Sequence, residues 1–156
     1  MPDSSLDAPV SLIKRLLVIL YDVLLLLAVF LIVGIPLSTL TTFLLNDGNA
    51  ITPDHPYYLL NQIIVLSALL LSSLLFYGWF WTHGGQTLGM KTWRIQLVSE
   101  NGGAINWRQA VIRYFAAILS WLLAGVGFLW VLVDGQNRSW HDILSRSFLR
   151  QLARGT

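Results

Sequence analysis

The most extended pattern in the chain is apolar. From Leu16 to Val33 the only charged side chain is Asp22, and with its flanks this run predicts a first helix over residues 11–45, long enough to cross a hydrocarbon core of about 30 Å. Turn residues then crowd into the segment Asn46 to Pro56, which carries two Asp, one His and no Lys or Arg, as expected of a loop on the non-cytoplasmic side. A second apolar run predicts a helix over 57–81. Tyr57 and Tyr58 stand at one end and Phe76, Tyr77, Trp79, Phe80 and Trp81 at the other, where rings settle at the two membrane interfaces.

The next stretch, Thr82 to Val111, is too polar for lipid and carries Lys91, Arg94 and Arg108, which assigns it and the N-terminus to the cytoplasm. Within it Trp93, Ile95 and Leu97 alternate with Arg94, Gln96 and Val98 ahead of an Asn101-Gly102 pair, so a small cytoplasmic β-hairpin is expected within residues 82–107. Asn106 with Gln109 three residues later forms a capping box that opens a further helix.

Tyr114 to Val133 is a run of 20 uncharged residues, and residues 108–134 therefore form either a third apolar helix or a re-entrant hairpin turning at Gly125-Val126-Gly127. A full crossing puts Arg138, Arg146, Arg150 and Arg154 outside, whereas the returning form keeps all ten Lys and Arg cytoplasmic, so charge favours return. Re-entrant backbone is tolerated only when buried in protein. Residues 138–153 read as an amphipathic helix, with Trp140, Ile143, Leu144, Phe148 and Leu152 on its apolar side and Arg146, Arg150 and Arg154 on its polar side. Residues 1–10 read as a flexible lead.

Composition sharpens this outline. The chain is 55% hydrophobic and 12% charged over 156 residues, the profile of an integral membrane protein. The run behind Lys14 and Arg15 is longer than a secretory signal's apolar core and no small-residue cleavage site follows, so it reads as a retained anchor. Zero cysteines remove disulfides, thiol nucleophiles and Cys-based metal sites, and a net charge of +2 is too small for nucleic acid. Neither a Ser-His-Asp order nor a phosphate-binding Gly loop nor a metalloprotease helix motif occurs. A non-enzymatic protein without cofactor or metal is expected.

Asp22 is the foremost candidate for function, since an ionisable residue in hydrocarbon is costly and usually marks a working site. It is either a switchable carboxylate on a proton or sodium pathway, or a polar tie to a neighbouring helix through Asn61, Gln62, Ser67, Ser72 or Ser73. Arg15 lies two turns away and too far to touch it. With a returning hairpin, Asp134 and the His141-Asp142 pair reach the side of the membrane that holds Arg15, and an Arg15–Asp142 ion pair becomes feasible. Gly85, Gln86 and Gly89 form a tight Gly-rich turn after the second helix.

Three stretches in this order resemble the RDD family of small membrane proteins, named for one Arg and two Asp. They are RLLVILYD (Arg15 to Asp22), the segment beginning GGQTLGMKTWRIQLV and running from Gly84 to Tyr114, and NRSWHDILSRSF, which maps the second Asp onto Asp142. Met90 departs from the family's usual basic residue, and Arg146 and Ser147 stand for a small residue and a Thr. The resemblance implies a transport role, sometimes suggested as sodium/proton exchange.

The expectation is therefore an all-α membrane protein of the bacterial inner membrane, multi-pass, with both termini cytoplasmic. It would be an oligomeric cation or proton transporter working through Asp22, or alternatively an accessory or assembly subunit of a larger membrane complex. Its partners would be the bilayer and further copies or a larger membrane protein. A weaker third role is lipid-headgroup recognition by the basic C-terminal helix.

Overall fold

The structure is a computed structural model that describes residues 10–152. Helix α1 (Leu12–Asn46) and helix α2 (Tyr58–Thr82) are each long and apolar enough to cross a membrane. Their apolar side chains point outward, Ile32 being 73% and Leu59 72% exposed, which is stable only where hydrocarbon covers them. Pro36 lies inside α1, as spanning helices permit.

The chain divides into two compact units, Leu24–Phe76 and the remainder. In the first, hydroxyls along the helices are returned to their own backbone: Thr39 to Ile35 O, Thr42 to Ser38 O, Ser72 to Leu69 O and Ser73 to Leu70 O. Water is absent from hydrocarbon, so such self-satisfaction is what makes these residues tolerable there. Gly34 meets Leu69, where an added Cβ would stand 3.5 Å from the Leu69 side chain. After α1, Asp47 and Gly48 take left-handed backbone and Asn46 Nδ2 donates to Asn49 O and Ala50 O, closing the loop.

The other unit joins the first turns of α1 and the last of α2, from Tyr77 on, to the polar half of the chain. It holds α3 (Leu88–Thr92), β1 (Ile95–Ser99), α4 (Trp107–Leu122), α5 (Val126–Leu129) continued by a 3₁₀ turn (Trp130–Leu132), α6 (Trp140–Leu144) and β2 (Ser147–Gln151). Its core centres on Ile95, Leu97, Val98, Ile105 and Ala110.

β1 pairs antiparallel with β2, in register from Ile95 opposite Gln151 to Ser99 opposite Ser147. This corrects two expectations. The turn over Ser99–Gly103 does form, with Gly102 in the left-handed region and its N–H bonded to Ser99 O. No local hairpin follows, because the Asn106–Gln109 capping box starts α4 almost at once and leaves too few residues for a returning strand. The amphipathic helix expected over 138–153 is also absent among the described residues. Its first part is α6, which ends where Arg146 adopts positive φ, and its second part is the strand that β1 lacks locally. An open edge of buried apolar residues outweighs an unsupported helical face.

The third apolar stretch is not one straight helix. Ala124 and Gly125 take positive φ, and the axes on either side of the break differ by 108°, with the bend where the Gly125-Val126-Gly127 sequence predicts it. Gly127 packs against Ser120 Oγ and the Trp140 ring with no room for a Cβ, and Gly78 does the same against the Trp107 ring. Val10, expected in a flexible lead, is buried against this unit; the rest of that lead and Arg154 lie outside the described residues.

Candidate functional site

A carboxylate between two guanidiniums occupies the middle of the polar unit. Asp142 is fully buried; its Oδ2 lies 2.7 Å from Arg15 Nη1 and its Oδ1 2.6 Å from Arg113 Nη1. The local fold presents it: Ser139 precedes α6, and its backbone N–H donates to Asp142 Oδ2 at 3.0 Å, the reciprocal arm of a capping box. Arg15 reaches inward from the first turn of α1, giving Nε to Val10 O and Nη2 to Asn137 O. Arg113 comes from α4, bonds Ser147 Oγ at 2.9 Å and lies over the Trp81 ring. One side-chain cluster thus ties α1, α2, α4, α6 and β2 together.

Burial alone would raise the Asp142 carboxyl, but Arg113 and Arg15 with the Ser139 hydrogen bond outweigh it and hold the group far below the usual carboxylate range. His141 shares a 2.8 Å hydrogen bond with Ser139 Oγ and packs on the Phe128 ring. Burial, with the two guanidiniums adding to it, lowers the imidazole to about 3. It is neutral near pH 7, so Arg15, Arg113 and Asp142 leave one uncompensated positive charge in a desolvated site.

Asp22 belongs to a second, separate clamp. Its Oδ2 accepts from Thr87 Oγ1 at 2.7 Å and its Oδ1 from Gly89 N at 3.0 Å. Thr87 Oγ1 in turn accepts from Met90 N, capping α3. Gly89 is required, since a Cβ there would meet Asp22 Oδ1 at 2.7 Å and Val18 O at 2.8 Å. The neighbouring residues face the other way: Gln86 Nε2 donates to Ile95 O, and Gly85, with positive φ, accepts from Leu97 N. The Gly-Gln-Thr-Leu-Gly stretch therefore grips α1 with one end and β1 with the other.

Arg15 and Asp142 are brought together, the ion pair that a returning hairpin made feasible, and both are buried. Asp22 finds Thr87 and Gly89 in place of any helix partner named from sequence. Asp134 stays out of the cluster, accepting from Gln136 N and Arg138 N and held below its usual range chiefly by the Arg138 N–H. Sequence reasoning missed Arg113 and Thr87. Arg113 carried a usable signal, being charged in an otherwise apolar stretch of helix, the same argument that singled out Asp22.

Fold and clusters define a small membrane protein with two helices long and apolar enough to cross a bilayer and a polar unit stitched by two Arg and two Asp. The RDD family profile matches residues 9–146, and the chain belongs to the RDD family. It is similar to the uncharacterized protein YxaI of Bacillus subtilis (strain 168), at 30% identity over 92 residues that cover 58% of this chain and 60% of that one. The chain thus spans about three fifths of that relative's length. No solved structure matches it.

Proposed function

We propose that the chain is a non-catalytic accessory or assembly subunit of a larger complex in the bacterial inner membrane. The observation carrying this reading is that the three motif charges, Arg15, Asp22 and Asp142, all have internal partners, so their chemistry holds the polar unit together, as a docking module requires. The bend at Gly125 fits a segment that returns to the side it left, which keeps the Lys and Arg residues and both termini cytoplasmic. Cross-linking in native membranes followed by purification in mild detergent tests it. A stoichiometric membrane partner that also retrieves this chain reciprocally is expected; recovery of the chain by itself, as a discrete ring, overturns the reading.

Cation or proton transport is a second reading, favoured by one feature of Asp22. A hydroxyl and an amide hold its carboxylate, and among the described residues no cation pairs with it, which suits a group that exchanges a proton or a sodium ion. Two full helices enclose little room, so a homo-oligomer would have to complete the route. Proteoliposomes under sodium and potassium gradients decide: proton or sodium flux lost in Asp22→Asn supports transport, and identical behaviour of the variant and the wild type ends it.

A further inference from the structure

Beside the first turn of α1 lies a cleft of about 290 Å³ lined by Arg15, Glu100, Gln136, Asn137, Arg138, Phe148 and Leu149. We propose that this cleft binds a phosphate-type anion, presented by the headgroup of an anionic phospholipid or free in solution. The inference is independent of either functional reading above.

Three observations converge on it. Arg15 lines the cleft and is the outer member of the Arg15–Asp142–Arg113 cluster, which has two guanidiniums for one carboxylate, so an anion against Arg15 offsets the surplus. Of the five N–H donors of a guanidinium, Arg15 places three on Val10 O, Asp142 and Asn137 O among the described residues.

Arg138 is the second cation, and its ion pairs are long ones. Its Nε is buried without a hydrogen-bond partner. The nearest carboxylates are Asp134 Oδ2 at 3.6 Å and Glu100 Oε1 at 3.8 Å, both beyond hydrogen-bond distance. A phosphate oxygen takes such a fork at shorter range and with greater strength. Glu100 lines the same cleft and opposes the anion, so it sets the affinity and does not exclude the ligand.

The third observation is placement. Arg15 is at the start of a membrane-crossing helix, the level at which headgroups lie, and Phe148 and Leu149 add an apolar wall to the polar one. Glycerol and the first acyl carbons would lie on that wall while the phosphate meets the arginines.

The test uses the full chain in neutral detergent, titrated calorimetrically with dioctanoyl phosphatidylglycerol, dioctanoyl phosphatidylcholine and inorganic phosphate. Arg138→Gln and Glu100→Gln are compared with the wild type, each with its thermal unfolding to confirm an intact fold. Phosphatidylglycerol binds one to one; Arg138→Gln weakens it about tenfold, the loss of one charge-assisted hydrogen bond, and Glu100→Gln tightens it severalfold. Phosphatidylcholine binds at least about tenfold more weakly, since its headgroup has no net charge. Inorganic phosphate binding that Arg138→Gln abolishes assigns the source to a soluble anion; phosphatidylglycerol binding without it assigns the source to lipid. Equal affinity of the wild type and Arg138→Gln for both phosphatidylglycerol and phosphate, or equal binding of the two lipids with no binding of phosphate, overturns the proposal.

Discussion

Arg15 and Asp142 lie 127 positions apart in sequence and meet at 2.7 Å in the interior of the polar unit. Their contact means that the start of the first membrane helix and the short helix α6 share one buried charge, with Arg113 on the carboxylate's other oxygen. Removing one partner of a buried pair costs about 3–5 kcal/mol, because the survivor is left desolvated and uncompensated. Asp142→Asn strands two guanidiniums, Arg113→Gln leaves Arg15 as the counter-charge, and Arg15→Gln leaves the deeper pair intact. Thermal unfolding in mild detergent is expected to show the loss of stability falling in that order.

The Asp22 clamp separates size from charge. Asp22→Asn keeps an acceptor for Gly89 N and nearly the same volume, so it is expected to fold with a small loss. Asp22→Ala leaves the Thr87 hydroxyl and the Gly89 N–H unsatisfied and is expected to cost about 1–3 kcal/mol for each buried group. Limited proteolysis between α2 and β1 reads this directly, with cleavage rising in the Ala variant before the Asn variant.

Gly89→Ala tests how closely α3 approaches α1. The added methyl would meet both Asp22 Oδ1 and the Val18 carbonyl, and overpacking of this kind costs about 1–3 kcal/mol. Gly103→Ala, at an exposed turn with only Asn101 nearby, is the matched control and is expected to leave the melting temperature unchanged.

His141 determines an acid limit. Burial lowers the folded imidazole to about 3, below its unfolded value of about 6.5, so between those values the unfolded chain binds the extra proton. Stability from this group is complete above about pH 6.5 and falls by about 1.4 kcal/mol per pH unit as acid is added through that window. His141→Asn is expected to flatten the slope of unfolding free energy between pH 6 and pH 4; an unchanged slope assigns the acid sensitivity to other groups.

The strand pairing can be trapped chemically, because the chain contains no cysteine. Gln96 and Arg150 are cross-strand partners, a spacing that suits a disulfide. Gln96→Cys combined with Arg150→Cys is expected to cross-link under mild oxidation, whereas Gln96→Cys with Gln151→Cys, one position out of register, cross-links less.

The parts of the fold that could be read from the chain are those whose cause is local. Two spanning helices follow from length and apolarity, the start of α4 from Asn106 and Gln109, and the bend in the third apolar stretch from two nearby glycines. The identity of β1's partner was not readable. Ser147–Gln151 carries an equally good apolar face for a helix, and the choice between helix and strand was made by an edge 48 residues away at Ser99 opposite Ser147. The candidate site divides in the same manner. Asp22 was readable from charge in apolar surroundings, and the Arg15–Asp142 pairing only as feasible once the third apolar stretch turned back, but Thr87 looked like an ordinary turn residue, and its part depends on how α3 lies against Val18.

The pairing of β1 with β2 imposes an order on biosynthesis. Ile95 and Leu97, fully buried in the finished protein, leave the ribosome well before their partners at 147–151, as Arg15 and Arg113 do before Asp142. Until α6 and β2 emerge, a nascent chain already threaded into the bilayer holds an unmatched strand edge and two arginines without their carboxylate. Those are features that chaperones and proteases recognise, so any truncation before Ser147 should be cleared as unfinished and not accumulate as a smaller working protein.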